Sequence, residues 1–144
     1  MSQFSSKKVN HYLELAKAVS LKSDFPRHKL GAIIVYKNSV LAHGFNSCKT
    51  NPAQKKYNAK RDYDTEACYG HTNCVHAEVN ALSKVRYLDI DFDKTSLFIY
   101  REHKNGQSAY ARPCKACQAM IRDFGIHDIY YSTELGGYCY ERID

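Results

Sequence analysis

Val9, Tyr12, Leu13, Ala16 and Val19 recur at helical spacing through "KKVNHYLELAKAVSL", with Ser5 or Ser6 placed to cap the helix they predict. In "KLGAIIVYKNSVLAHGF" two short apolar runs flank Lys37-Asn38, which predicts a hairpin with strands near 29–36 and 39–45. A second helix is expected from about Val75, with Val79, Leu82 and Val85 on one face. "SLFIY" at 96–100 reads as a buried strand, and the turn signal "KNG" at 104–106 makes "IYREHKNGQSAYA" a protruding hairpin. A third helix starts near Pro113, carries Cys117, Met120, Ile121 and Phe124 inward, and stops at Gly125. "DIYYST", "ELGG" and "YCYERI" then read as strand, turn and strand. The β-β-α-β-α-β order calls for a sheet with helices packed on its faces.

One stretch breaks this rhythm. Residues 46–74 are mostly polar and rich in Asn, Lys, Tyr and Asp. A plain loop of that length is unusual inside one domain, so it is read as functional or internally clipped. No repeat or inter-domain linker interrupts the rest, and one domain spanning 1–144 is expected.

Composition narrows the setting. Hydrophobic residues make up 44% of the chain, enough for a core without disulfide staples. No apolar run approaches a membrane span, and no apolar segment follows the lysines of "MSQFSSKKVN", so neither membrane insertion nor a signal peptide is expected. The expected location is the cytoplasm, or the host cytoplasm if the protein is viral. In that setting six cysteines favour metal or catalysis over disulfides. The net charge of +6 is compatible with an anionic small substrate, a nucleic acid, or solubility alone.

The candidate chemistry lies at two predicted helix starts. "RPCKACQ" puts Cys114 and Cys117 in the first turn of the third helix, where the helix dipole and unpaired N–H groups favour thiolate. "HAE" puts His76 at the start of the second helix. One nitrogen and two sulfur ligands make an open zinc site. Glu78, two residues from His76, is then the group to move protons for a water activated there. A structural zinc at the same residues would leave Glu78 without a role, and a redox C-x-x-C lacks a thioredoxin-like context.

H-x-E followed by P-C-x-x-C is a zinc-deaminase signature. With "LGAIIVYKNSVLAHGFN", "HAEVNAL" and "ARPCKACQAMIRDFGIHDIYYS" around it, nearly the whole chain resembles the cytidine and deoxycytidylate deaminase superfamily, and most of all its phage-type deoxycytidylate deaminases. The resemblance implies a three-layer α/β/α fold around a mixed sheet of about five strands. It implies zinc held by His76, Cys114 and Cys117, and attack on C4 of a cytosine ring or, less often, C6 of adenine. Glu78 would protonate the ring nitrogen and then the leaving ammonia. The backbone N–H of Ala77 and the carbonyl of Arg112 or Pro113 would hold the base, and Asn46 in "GFNS" matches a family asparagine that contacts sugar or base. An oligomer is also implied.

The chain departs from the family pattern in one place. Deoxycytidylate and nucleic-acid deaminases usually place a helix between their last two strands. "STELGGY" is too short for such a crossover and requires a C-terminal β-hairpin, as in deaminases of free cytidine and some bacterial toxin deaminases.

A second metal is conceivable from ligand count. Cys48, Cys68, His71 and Cys74 could close a Cys₃His site, which would explain how the polar stretch holds a shape. Some phage-type relatives carry a second zinc here, with a Gly-His pair spaced like Gly70-His71. The plainer alternative makes Cys68 and Cys74 buried thiols and His71 a lining residue of the substrate mouth. Tyr57, Tyr63, Tyr69 and Tyr110 could stack on a base, with a structural role favoured for each. Cys139 reads as a small core residue of the last strand.

Substrate is less determined than reaction. A pyrimidine nucleotide or nucleoside, dCMP above all, is favoured: "GFNS" and "TNP" resemble the deoxycytidylate deaminase loop, and Lys49, Lys55, Lys56, Arg61 and Arg112 could meet a phosphate. A single-stranded nucleic acid is the alternative. A non-catalytic zinc-bound binder is the third reading, and the intact Glu78 argues against it.

Overall fold

Alternate side chains of the central strands face opposite ways, and both faces are apolar. The computed structural model describes residues 4–25, 28–48, 51–58 and 75–144. In order these form α1 (Ser6–Ser20), β1 (His28–Tyr36), β2 (Ser39–Phe45), α2 (Pro52–Asn58), α3 (Ala77–Val85), β3 (Thr95–His103), β4 (Ser108–Ala109), α4 (Lys115–Phe124), β5 (Asp128–Ser132) and β6 (Tyr138–Arg142). Ile33 and Val35 of β1, Phe98 and Tyr100 of β3 and Tyr130 of β5 face α1, which buries Val9, Tyr12, Leu13 and Ala16 against them. Ala32, Ile34, Leu97, Ile99, Ile129 and Tyr131 face the other way, onto α3 and α4. A strand apolar on both faces needs cover on both, and the result is the expected three-layer α/β/α arrangement.

The strand order is β2-β1-β3-β5-β6, and the two-residue β4 pairs with β3 beside this path. The five-strand path matches the sequence reading, and β4 is the short return arm of the predicted hairpin. β3 is antiparallel to β1 but parallel to β5, because α4 crosses between them. The short "STELGG" connection permits no second crossover, and β5 pairs antiparallel with β6 as expected. Lys37 and Asn38 both take positive φ in the β1–β2 turn, the backbone form that continues a hairpin's twist.

Two differences from the sequence reading concern boundaries. α3 starts at Ala77, because Val75 is held in an isolated bridge to Ser47 by two backbone bonds of 2.9 and 3.0 Å. The polar excursion also contains a helix, α2. Asn51 Oδ1 accepts the Ala53 N–H at 2.8 Å, and Pro52 fills the first helical position.

Glycine lets two helices reach the sheet closely. A Cβ at Gly31 would lie 2.0 Å from the Ala16 carbonyl oxygen of α1. At Gly44 of β2 it would lie 2.4 Å from the Ala81 nitrogen and 2.7 Å from the Ala77 oxygen, both α3 backbone atoms. The seating of α3, and so of His76 and Glu78, depends on that missing side chain. Gly44→Ala is expected to displace α3 and cost about 1–3 kcal/mol. A denaturant melt with an unchanged midpoint and slope would contradict this.

Candidate active site

α3 and α4 begin side by side. The residue before each, His76 and Cys114, has extended backbone angles, and neither side chain makes a capping hydrogen bond to its own helix. A serine or aspartate at such a position would stabilise the helix by about 1 kcal/mol. Here the two side chains are turned toward each other. His76 Nδ1 is 3.3 Å from Cys117 Sγ and 3.6 Å from Cys114 Sγ. The three donor atoms lie within 4.8 Å of one another and form the only such group of histidine, cysteine or carboxylate donors found among the described residues.

The electrostatics follow from this crowding. The Cys114 thiol is depressed to about 3, first by a hydrogen bond with Cys117 and then by His76. The Cys117 thiol is pushed up by that same bond, by burial and by the charge of Glu78. The shared hydrogen bond thus favours the thiolate at Cys114 and opposes it at Cys117. Glu78, on the first turn of α3, is 3% exposed. Burial raises its pKa, against the attraction of His76. Its Oε1 is buried and finds no hydrogen-bond partner among the described residues. Buried carboxylate oxygens are normally satisfied, so this one calls for a polar group that the described residues do not supply. One imidazole, two sulfurs and an unpaired carboxylate oxygen beside them fit a zinc ion with one position left for water or substrate.

The predicted substrate-binding residues are engaged in different ways. Asn46 is buried, accepting from the Leu30 N–H at 2.9 Å and donating to the His28 carbonyl at 3.1 Å, which fastens the end of β2 to β1. Ala77 is fully buried at the start of α3. The Pro113 carbonyl accepts from Gln118 Nε2 at 2.8 Å. Arg112 spends its guanidinium on Glu141 in a two-pronged pair, with both bonds at 2.9 Å. Glu141 also accepts from the Tyr131 hydroxyl at 3.1 Å.

Of the tyrosines, Tyr57 is buried and donates to Asp123, whereas Tyr110 is half-exposed and meets Tyr131 edge-on at 5.6 Å. Cys48 is exposed, and its backbone N–H donates to Asp24. The other second-metal candidates, Cys68, His71 and Cys74, lie outside the described residues, as do Lys49, Arg61, Tyr63, Tyr69 and the side chain of Lys55. Cys139 is half-buried on β6, opposite Tyr131. Sequence reading missed Gln54, whose Oε1 accepts the His76 N–H at 2.9 Å. The Asn51-Pro52 start of α2 was the available signal for its helix.

Residues 6–133 match the family profile described as the cytidine and deoxycytidylate deaminase zinc-binding region. The deoxycytidylate deaminase of Mycobacterium phage D29 is 31% identical over 137 residues, spanning 86% of this chain and 93% of that protein. Among solved structures, the dCMP deaminase of cyanophage S-TIM5 in apo form aligns with a TM-score of 0.59 at 29% identity, covering 89% of this chain and 84% of that one. The same enzyme in complex with dCMP and dUMP gives 0.60 at 27% identity, covering 90% and 83%. A cytidine deaminase from Burkholderia pseudomallei shares the fold, with a TM-score of 0.63 at 18% identity over 97% and 94% of the two chains. The chain belongs to the cytidine and deoxycytidylate deaminase family, whose members are zinc-dependent hydrolytic deaminases. Among the described residues no helix is long and apolar enough to cross a membrane.

The Arg112–Glu141 pair gives a pH test. Glu141 is held below its usual value of 4.5, first by hydrogen bonding to Arg112, so the stability it contributes is present above that value and lost as pH falls through its lower folded pKa. Glu141→Gln is expected to melt below the wild type at pH 7, with the gap closing as pH drops below 4.5. A gap that stays constant across that range would contradict the assignment.

Proposed function

We propose that this protein hydrolyses dCMP to dUMP and ammonia, with zinc held by His76, Cys114 and Cys117. The observation that carries the chemistry is the buried, unpartnered Glu78 Oε1 beside those three donors. When bound there, zinc supplies Lewis acidity and a nucleophile at neutral pH. Every proton must then travel through the chain's own groups. Among the described residues Glu78 is the carboxylate beside the three donors, and burial strengthens its hold on a proton. In the balanced reaction water adds at C4 and gives one proton to Glu78, which passes it to the ring nitrogen N3; the remaining C4 hydroxyl proton then passes through Glu78 to the amine nitrogen as the C4–N bond breaks, leaving the C4 carbonyl of dUMP and ammonia.

The substrate reading has separate support. The phage D29 relative is a deoxycytidylate deaminase, and the S-TIM5 enzyme was solved with both dCMP and dUMP. Asn46, the Ala77 N–H and the Arg112 or Pro113 carbonyl remain the proposed contacts to sugar and base. The Arg112 side chain is occupied by Glu141, so phosphate recognition falls to other cations.

A panel of dCMP, CMP, dCTP, deoxycytidine, cytidine, cytosine and single-stranded DNA, read by product mass, tests this reading. Turnover is expected for dCMP above the rest. Turnover of DNA alone would replace the nucleotide reading with that of a nucleic-acid editor. Glu78→Gln is expected to keep its zinc and lose roughly 10²–10⁴-fold in rate. Wild-type turnover by that variant would remove Glu78 from the proton path.

A further inference from the structure

α2 is tied to both helices of the metal site, each time by a buried side chain. Gln54 is 1% exposed, and its Oε1 accepts the backbone N–H of His76 at 2.9 Å. Three residues on, the Tyr57 hydroxyl donates to Asp123 Oδ2 at 2.6 Å. Asp123 belongs to α4, the helix that carries Cys117.

The bond to His76 falls where the chain needs it. Before His76, Val75 is paired with Ser47 through two backbone bonds. After it, the His76 carbonyl accepts from Asn80 at 3.0 Å and opens α3. Gln54 takes the N–H between these two anchors. With its N–H, its carbonyl and its preceding residue all held, the His76 backbone aims Nδ1 at two sulfurs that arrive from another helix. Burying a glutamine side chain this completely is uncommon unless its polar atoms are used.

We propose that α2 is a bracket for the metal centre and that Gln54 is a positioning residue, setting His76 against Cys114 and Cys117. The proposal rests on the zinc reading above. Outer partners of metal ligands commonly govern metal affinity by about 10–100-fold. Gln54 acts on the ligand's backbone, so its effect falls on metal affinity and ligand geometry before it falls on chemistry.

The test uses the full chain loaded with zinc or with cobalt(II), in wild type, Gln54→Met and Gln54→Glu. Methionine keeps length and burial but loses the oxygen; glutamate keeps an acceptor at the same reach. Competition with a chromogenic chelator is expected to show Gln54→Met binding zinc about 10-fold more weakly. Its cobalt ligand-field bands are expected to shift, and Gln54→Glu to restore both readouts. Wild-type affinity with unshifted bands in Gln54→Met would overturn the proposal, and so would a Gln54→Glu protein as impaired as Gln54→Met. If Gln54→Met fails to give a cooperative melt, Gln54→Glu decides: wild-type cobalt bands support the bracket and shifted bands overturn it. A wild-type protein without thiolate-to-cobalt charge transfer would overturn the zinc reading itself, and the bracket with it.

Discussion

Two helix N-termini that give up their own caps to face each other are the constraint on which this structure turns. His76 and Cys114 stand where a capping side chain would normally bond its own helix, and neither does so. Each helix forgoes about 1 kcal/mol by that choice. Packing offsets the loss: Val79, Leu82 and Val85 of α3 and Ala116, Cys117 and Ile121 of α4 are almost completely buried in one core. The helix starts are thus held by their bodies, which leaves the first turns to serve chemistry. The arrangement also sets the electrostatics, because positive helix ends favour the anionic sulfur that a metal requires.

The sheet serves this apposition. β3, buried along most of its length, separates α1 from the site layer. Its antiparallel pairing with β1 and parallel pairing with β5 bring α3 and α4 onto the same face. Gly44 lets α3 settle against β2, and Asn46 pins the end of that strand to β1. A carboxylate on the first turn of a helix so placed lies beside the converging donors. The buried Oε1 of Glu78 finds no hydrogen-bond partner among the described residues, which fits a site that takes a bound polar group.

Much of this was legible in the residues. Apolar spacing located α1 and the face of α4, and Lys37-Asn38 marked the first hairpin. The length of "STELGG" required the last strands to run antiparallel, whatever the wider family does. His76, Glu78, Cys114 and Cys117 were legible because metal chemistry restricts residue type and spacing together. α2 was not, because seven residues span too few turns to show a periodicity and only the Asn51-Pro52 cap announces them. Gln54 was hidden for a related reason. Its role is a bond to a backbone N–H across 22 residues, and no side-chain pattern encodes such a partner. The pairing of Arg112 with Glu141 escaped likewise, since it joins the approach to α4 with the final strand.

The central claim is that His76, Cys114 and Cys117 hold a zinc ion beside Glu78 without Glu78 binding it. Anomalous diffraction at the zinc edge, from crystals of the zinc-loaded protein, tests it most directly because it locates each ion separately. A peak is expected roughly 2.3 Å from both sulfurs and about 2.0–2.1 Å from His76 Nδ1, with Glu78 outside the coordination sphere. A peak there with a Glu78 oxygen as the fourth ligand, or no peak between these residues, would contradict it.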